Sequence, residues 1–391
     1  MSGSEAGRRS GGGAVRLEIA DAYWTPRTGL VEPAGGAAVA LDGRGEAVEC
    51  GAASELLARH PRLPMAEGRG VLLPGLVDCH AHLECAALAG MVPPGDGLGA
   101  WVATLVKKRL PMTHGDLEAA ARRAAMEMRA LGTVAVADVC TLLATAPILR
   151  EAGLMGLSLL EVVGANAEVA GAALADAERR RAAWTAGEAG IFAVAVPHSA
   201  YGTEPGAIAA LRGDGGVRSI HVAEHADENA WLEKGEGPFA PFLLSKGAVP
   251  PGTRPVPFLD GLRAIGSETL LVHLVTASED ELRLAASRGA TAVLCPRSNL
   301  HIGGRLPDLR AVRAAGLPWV LGTDSLASCP DHDLLGEVAL LAEDFPDVPA
   351  DELLEAATVR GARALGLSHH PWVRVERARL GFLVPRAGGA A

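Results

Sequence analysis

The chain has 391 residues, 49% hydrophobic and 21% charged, enough for one large globular domain with a small accessory one. A formal net charge of −10 and scattered arginines without a basic stripe exclude a nucleic-acid backbone as partner. No uninterrupted apolar run of about 18 residues is present to cross a membrane.

Aromatics make up only 4% of residues, so the core must come from small and branched side chains, as in the layered interior of an α/β barrel. Residues 1–13 are rich in Gly and Ser and lack an apolar h-region, which predicts a disordered tail and not a signal peptide. From Ala14 to Gly70, short β-like runs separated by glycines (Val15–Ala20, Ala37–Leu41, Ala47–Cys50) predict the first part of an accessory β domain. After Gly70 the texture changes to strand–helix alternation. Apolar strands are expected at Val71–Val77, Thr133–Val139, Leu154–Val163, Ile191–Val196, Val217–Val222, Thr269–His273, Thr291–Cys295 and Pro318–Gly322. Helical stretches separate most of them, including Asp116–Leu131, Leu174–Trp184, Ser278–Ser287 and Leu306–Ala315.

Eight such strands predict an α/β fold, a (β/α)8 TIM barrel over residues 71–366, although a doubly wound sheet alternates in the same way. The Pro-rich stretch Lys234–Leu262 interrupts the rhythm and is expected to be an insertion or lid. Val373–Val384 is expected to return one or two strands, so that residues 367–391 complete a small β-sandwich accessory domain in abbreviated form. The run Arg179-Arg180-Arg181 is expected on a solvated helix face. Six dispersed cysteines without a C-x-x-C pair predict free thiols and a reducing cytoplasm.

Polar residues able to bind metal recur at the C-terminal ends of the predicted strands, the face on which barrel enzymes assemble their sites. Strand one ends in Asp78-Cys79-His80-Ala81-His82, where alternation points both imidazoles the same way. Strand five ends in His221-Val222-Ala223-Glu224-His225, strand six in His273, and strand eight in Gly322-Thr323-Asp324-Ser325. Each is a weak signal alone, since a strand-end His is often structural and an Asp before Ser often caps a helix. Their ordered recurrence is what points to a metal.

These motifs, together with Ser298-Asn299, resemble the amidohydrolase superfamily, in the branch holding cytosine, guanine and adenosine-type deaminases and chlorohydrolases. The resemblance covers roughly residues 70–366. It implies that His80, His82, His221 and Asp324 ligate the metal, that Glu224 shuttles protons, and that His273 orients or polarises the attacking water. Three imidazoles and a carboxylate leave a divalent ion net positive, and such an ion lowers the pKa of a bound water towards about 7. Glu224 would protonate a ring nitrogen, Asp324 would take a proton from the water, and Glu224 would serve again as the amine departs. Binuclear relatives carry a lysine at the end of strand four. Here that strand runs Ile191 to Val196, followed by Pro197-His198, so one divalent ion is expected, zinc first, with iron or manganese accepting the same donors. The resemblance also gives His198 a substrate-binding role, against a purely structural one.

The segments His82-Leu83-Glu84, Pro197-His198-Ser199 and Cys295-Pro296-Arg297-Ser298-Asn299 look similar to 6-aminodeoxyfutalosine deaminases, which convert an adenine-bearing nucleoside on a menaquinone route. That resemblance makes Glu84 a candidate acceptor for ribose hydroxyls, against an ordinary loop carboxylate. Arg297 becomes the favoured partner of a substrate carboxylate among Lys107, Lys108, Arg109 and Arg297, against a structural ion pair. Trp101 could stack on a purine or be core. The expected partner is a small molecule, with neither nucleic acid nor membrane, and a homodimer as the default assembly. The competing readings are an amidase, lactonase or chlorohydrolase using the same site, and a non-catalytic metal-binding scaffold. Relatives usually end in a longer β segment with a Gly-Lys-x-Ala-Asp pattern, which this chain lacks.

Overall fold

The computed structural model describes residues 13–95, 97–142, 144–184, 190–211 and 216–383. The expected N-terminal tail, apart from Gly13, and the closing residues from Val384 lie outside the described residues. The chain forms two compact units, dividing after Gly75 and after Ser368.

The smaller unit is built from β1 (Arg16–Ala20), β2 (Ala22–Thr25), β3 (Gly29–Val31), β4 (Ala37–Leu41), β5 (Ala47–Ala52), β6 (Met65–Glu67) and β7 (Val71–Pro74), with the late strand Trp372–Val375. They form two four-stranded sheets. One has the order β5-β4-β1-β6, and the other runs from Trp372–Val375 through β7 and β2 to β3. Ala20, Tyr23, Val39, Leu41 and Leu72 form a buried cluster contributed by both sheets, against which Trp372 packs. Gly70 is required where the chain enters β7: its φ is +110°, and a Cβ would lie 2.3 Å from the Val375 carbonyl oxygen.

The larger unit holds β8 (Leu76–Ala81), β9 (Thr133–Cys140), β10 (Met155–Val162), β11 (Ile191–Pro197), β12 (Arg218–Val222), β13 (Thr269–His273), β14 (Thr291–Leu294) and β15 (Trp319–Leu321). All pair in parallel, as two four-stranded sheets of order β11-β10-β9-β8 and β12-β13-β14-β15. Most of these strands are buried along their whole length, which is why they read as unbroken apolar runs and not as alternating ones. Single parallel bridges, Ala81 to Asp324 and Ser199 to His221, link the ends of the two sheets. Helices such as His114–Ala130 and Glu279–Ser287 fill the crossovers, each opened by a capping box, Thr113 with Asp116 and Ser278 with Glu281.

One expectation changes. Val71–Val77 is two strands and not one: β7 pairs with β2 and Trp372–Val375, β8 pairs with β9, and the break falls at Gly75. The proline-rich stretch holds the short helices Ala240–Ser245 and Pro255–Gly261, each carrying a proline in the first turn, where no amide hydrogen is needed. Trp372–Val375 is the one strand this segment returns among the described residues, within the one or two expected, and 3-10 turns follow at Arg377–Leu383. Arg179, Arg180 and Arg181 pair with Asp176 and Glu178 on one helix, and no described helix is long and apolar enough to cross a membrane. All six cysteines are free thiols.

Candidate active site

His80 and His82 project from the end of β8 on the same side because strand residues alternate. His221 arrives from β12, and one nitrogen of each of the three rings falls within 4.8 Å of the others. Asp324 follows β15, with Oδ1 3.7 Å from His80 Nε2 and 3.6 Å from His82 Nε2. Backbone bonds between β8 and the Thr323-Asp324 turn, Asp324 N–H to His80 O and His82 N–H to Asp324 O, hold these groups in register. Gly322 allows that approach: a Cβ there would lie 2.7 Å from the His80 carbonyl oxygen.

The donor set fits a divalent cation. Both ring nitrogens of the fully buried His80 lack a hydrogen-bond partner. His221 Nδ1–H donates to the His198 carbonyl at 2.7 Å, which leaves the Nε2 lone pair aimed at His82 Nε2, 3.2 Å away. Burial lowers the pKa of both His82 and His221, so the rings are neutral donors. Burial opposes ionisation of Asp324, but His80, His82 and His273 outweigh it and hold the carboxyl well below its ordinary value. Ser298 Oγ–H donates to Asp324 Oδ2 at 2.5 Å and orients it.

Glu224 stands beside this cluster with its pKa shifted the opposite way. Burial, then the charges of Asp324 and Glu228, push its pKa well above the usual carboxylate range. His273 Nε2 lies 3.7 Å from Glu224 Oε1. Asn299 Nδ2–H donates to His273 Nδ1 at 3.0 Å, placing the imidazole hydrogen on Nε2, towards Glu224. Burial lowers the His273 pKa to about 3, so the ring donates while neutral. The backbone is strained at this site: Ala223, His273, Leu274 and Asp324 are four of the five non-glycine residues with positive φ among those described.

Sequence reasoning missed Glu161, at the end of β10. Its Oε1 meets His198 Nδ1 at 2.5 Å and its Oε2 accepts from Thr141 Oγ–H at 2.8 Å. Burial would raise its pKa, but His198 and His221 overcome that and hold it far below the ordinary range; in return, Glu161 raises the His198 pKa despite burial. An acidic residue two positions from the end of the apolar run Leu154–Val163 was the available signal.

A cavity of about 290 Å³ opens onto these groups. Among its walls are His82, Glu161, His198, His221, Glu224, His273 and Asp324, with Trp101, Tyr201 and Arg109. Trp101 is therefore at the cavity, 8% exposed, and its buried indole N–H has no hydrogen-bond partner. It lies on the helix Leu98–Arg109, whose N-cap Gly97 offers no side-chain cap.

Two expected substrate contacts are placed differently. Glu84 is fully buried and accepts from Arg109, Thr141 N–H and Leu142 N–H at 2.6, 2.9 and 3.0 Å, so it does not wall the cavity. Arg297 is bound to the buried Glu337 through Nε and its own backbone N–H, and to Asp331 and the Asp333 carbonyl, so it too lies outside the cavity wall. The basic residue that reaches the cavity is Arg109.

Eight parallel strands with crossover helices, and ionisable groups converging at their C-terminal ends, define an α/β protein of the TIM-barrel type. The Amidohydrolase family signature matches residues 71–370, and the chain belongs to this metal-dependent family. It is similar to the aminodeoxyfutalosine deaminase of Deinococcus radiodurans, 29% identical over 373 residues, 90% of this chain and 86% of that protein. It is also similar to the 5-methylthioadenosine/S-adenosylhomocysteine deaminase of Nitratidesulfovibrio vulgaris (strain Hildenborough), 30% identical over 319 residues, 76% of this chain and 67% of that protein. Among solved structures, Helicobacter pylori aminofutalosine deaminase in complex with methylthio-coformycin matches with a TM-score of 0.78 at 21% identity, covering 94% of this chain and 96% of that one, a likeness of fold.

Proposed function

We propose that the chain is a hydrolytic deaminase that removes ammonia from an aminopurine nucleoside, with 6-aminodeoxyfutalosine, on the futalosine route to menaquinone, as the favoured substrate. The observation that carries this reading is the convergence of His80, His82, His221 and Asp324 beside Glu224 and His273 at one end of a cavity of about 290 Å³. The similarity to aminodeoxyfutalosine deaminase over 90% of this chain supports the choice of substrate. Similarity to 5-methylthioadenosine/S-adenosylhomocysteine deaminase supports those nucleosides as the second reading.

His80, His82, His221 and Asp324 would hold one divalent ion, zinc by preference for three nitrogens and one oxygen, and that ion would supply Lewis acidity and lower the pKa of water. A second ion in the group Glu161, His198 and His221 is disfavoured, because His198 Nδ1 and Glu161 already bond each other and His221 Nδ1 is spent on a carbonyl. Glu224 gives its proton to the purine N1, which makes C6 electrophilic, while Asp324 accepts a proton from the attacking water. His273 Nε2–H donates to the oxygen that adds. The proton held on Asp324 then passes to the departing amino group, and the hydroxyl proton of the adduct returns to Glu224. Ammonia and a 6-oxopurine leave, and both carboxyls regain their starting states. His198, oriented by Glu161, would bind the nucleoside beside the reacting carbon.

Two architectural readings belong with this proposal. The bridges at Ala81–Asp324 and Ser199–His221 support closure of the eight strands into a (β/α)8 barrel, and the shared cluster of the two small sheets supports a β-sandwich. The test is ammonia release by metal-loaded enzyme from 6-aminodeoxyfutalosine, adenosine, S-adenosylhomocysteine, guanine and cytosine. Preference for the first supports the proposal, and silence across the panel with metal bound defeats it.

A further inference from the structure

A second cavity, of about 220 Å³, meets the first at two residues: Glu224 and Ile302 wall both. Its inner end holds Glu224 and Asn299, both buried, and its outer end holds Ala226, Gly303 and Arg305, all exposed. The first cavity reaches the surface elsewhere, at the exposed Val106 and Val163. The His225 imidazole stands between the two walls. It is packed between Gly97, which opens the helix along the first cavity, and Gly303, where added Cβ atoms would lie 2.9 and 3.0 Å from the ring. The second cavity has room for several waters, each of which takes about 30 Å³ in the liquid.

The inner end of this second cavity offers acceptors. Asn299 Nδ2–H is engaged by His273 Nδ1, while Asn299 Oδ1 is buried without a hydrogen-bond partner among the described residues. Thr276 gives both its backbone N–H and its Oγ–H to the Ala223 carbonyl, at 2.8 and 2.9 Å, which leaves the lone pairs of the hydroxyl. A buried acceptor without a partner is unfavourable, and a small N–H or O–H donor inside the cavity relieves it. In the deamination proposed above, the amino group departs from the carbon next to N1, the atom that Glu224 protonates. We infer that the second cavity is a passage for small polar molecules, through which ammonia leaves while the 6-oxopurine nucleoside still fills the first cavity. Ammonia carries three N–H donors in a molecule the size of water and suits such a wall. A separate exit parts the two products before they can recombine.

The inference rests on the deaminase reading, and the test separates the two. Glu224→Ala removes the acid and opens the two cavities to each other. Formate is the probe, a carboxyl small enough to enter by the second cavity and stand where Glu224 stood. It should raise kcat of that variant by about tenfold or more, with a half-saturating concentration that does not change as nucleoside is raised to saturation. Adding Ala226→Trp on the exposed rim should raise that concentration by about fivefold or more, and Gly303→Leu, a second rim variant, should do the same. With Glu224 intact, each rim variant should keep kcat/KM within about twofold of native, as a check on folding. Three results overturn the passage and leave the deaminase reading standing, given a native enzyme that releases ammonia: no rescue, rescue that nucleoside competes away, or rescue indifferent to both rim variants. A native enzyme that releases ammonia from no nucleoside of the panel overturns both.

Discussion

Replacing Arg297 by Met distinguishes a structural arginine from a substrate-binding one. Its partner Glu337 is fully buried, takes Arg297 Nε–H at 2.7 Å and the Arg297 backbone N–H at 2.9 Å, and has a pKa pushed up by burial to about 7 even with the guanidinium beside it. Methionine fills much of the volume but strands this carboxyl, and breaking one half of a buried pair costs about 3–5 kcal/mol. The larger unit has roughly 300 residues, so its unfolding entropy near Tm is about 0.6 kcal/mol per degree and Tm should fall by roughly 5–8 °C. Calorimetry or urea denaturation, run beside steady-state kinetics with a carboxylate-bearing nucleoside, reads both consequences. Adding Glu337→Leu to the variant should return most of the lost stability, because no buried charge then lacks a partner. An unchanged Tm together with a KM raised at least tenfold would refute the structural assignment and restore Arg297 to the substrate.

Asn299→Leu removes the donor that keeps the His273 hydrogen on Nε2, so turnover should drop about 10–100-fold while metal content, measured by atomic emission, stays unchanged. Activity needs Glu224 protonated and Asp324 ionised. The kcat profile should therefore lose its alkaline side as pH rises through the raised Glu224 pKa, and its acid side only below the ordinary carboxylate range. Glu228 is fully buried, and burial moves its pKa from 4.5 to about 8, so the folded state loses stability as pH rises between those values and no further above them. Glu228→Gln should lack that slope, and its Tm advantage over the native protein should grow across the same window in pH-resolved thermal melts.

The strand-end metal motif was legible because its information is local. His80 and His82 share one strand and one side, and His221, His273 and Asp324 each close an apolar run that could only be a buried strand. What stayed hidden depends on pairing across the fold. Glu161 sits inside an apolar run, and only the pairing of β10 with β11 brings His198 beside it. Arg297 follows β14 closely enough to suggest the site, yet Glu337, 40 residues onward, draws it away. Glu84 and Arg109 are 25 residues apart with no motif joining them. Helix Leu98–Arg109 escaped notice for a different reason: its apolar stripe serves a cavity, and its N-terminus lacks a capping side chain. The break at Gly75 was equally invisible, since β7 and β8 are both apolar and differ only in the sheets they join.

The most direct test of the central claim is Glu224→Gln, assayed for bound metal and for ammonia release from 6-aminodeoxyfutalosine. The amide keeps the shape of the side chain but cannot pass a proton. The account therefore predicts one metal ion per chain, as in the native enzyme, with turnover reduced by about 10²–10⁴-fold. A variant that retains its metal and turns over at the native rate would contradict the proton-transfer role of Glu224 and, with it, this reading of the site.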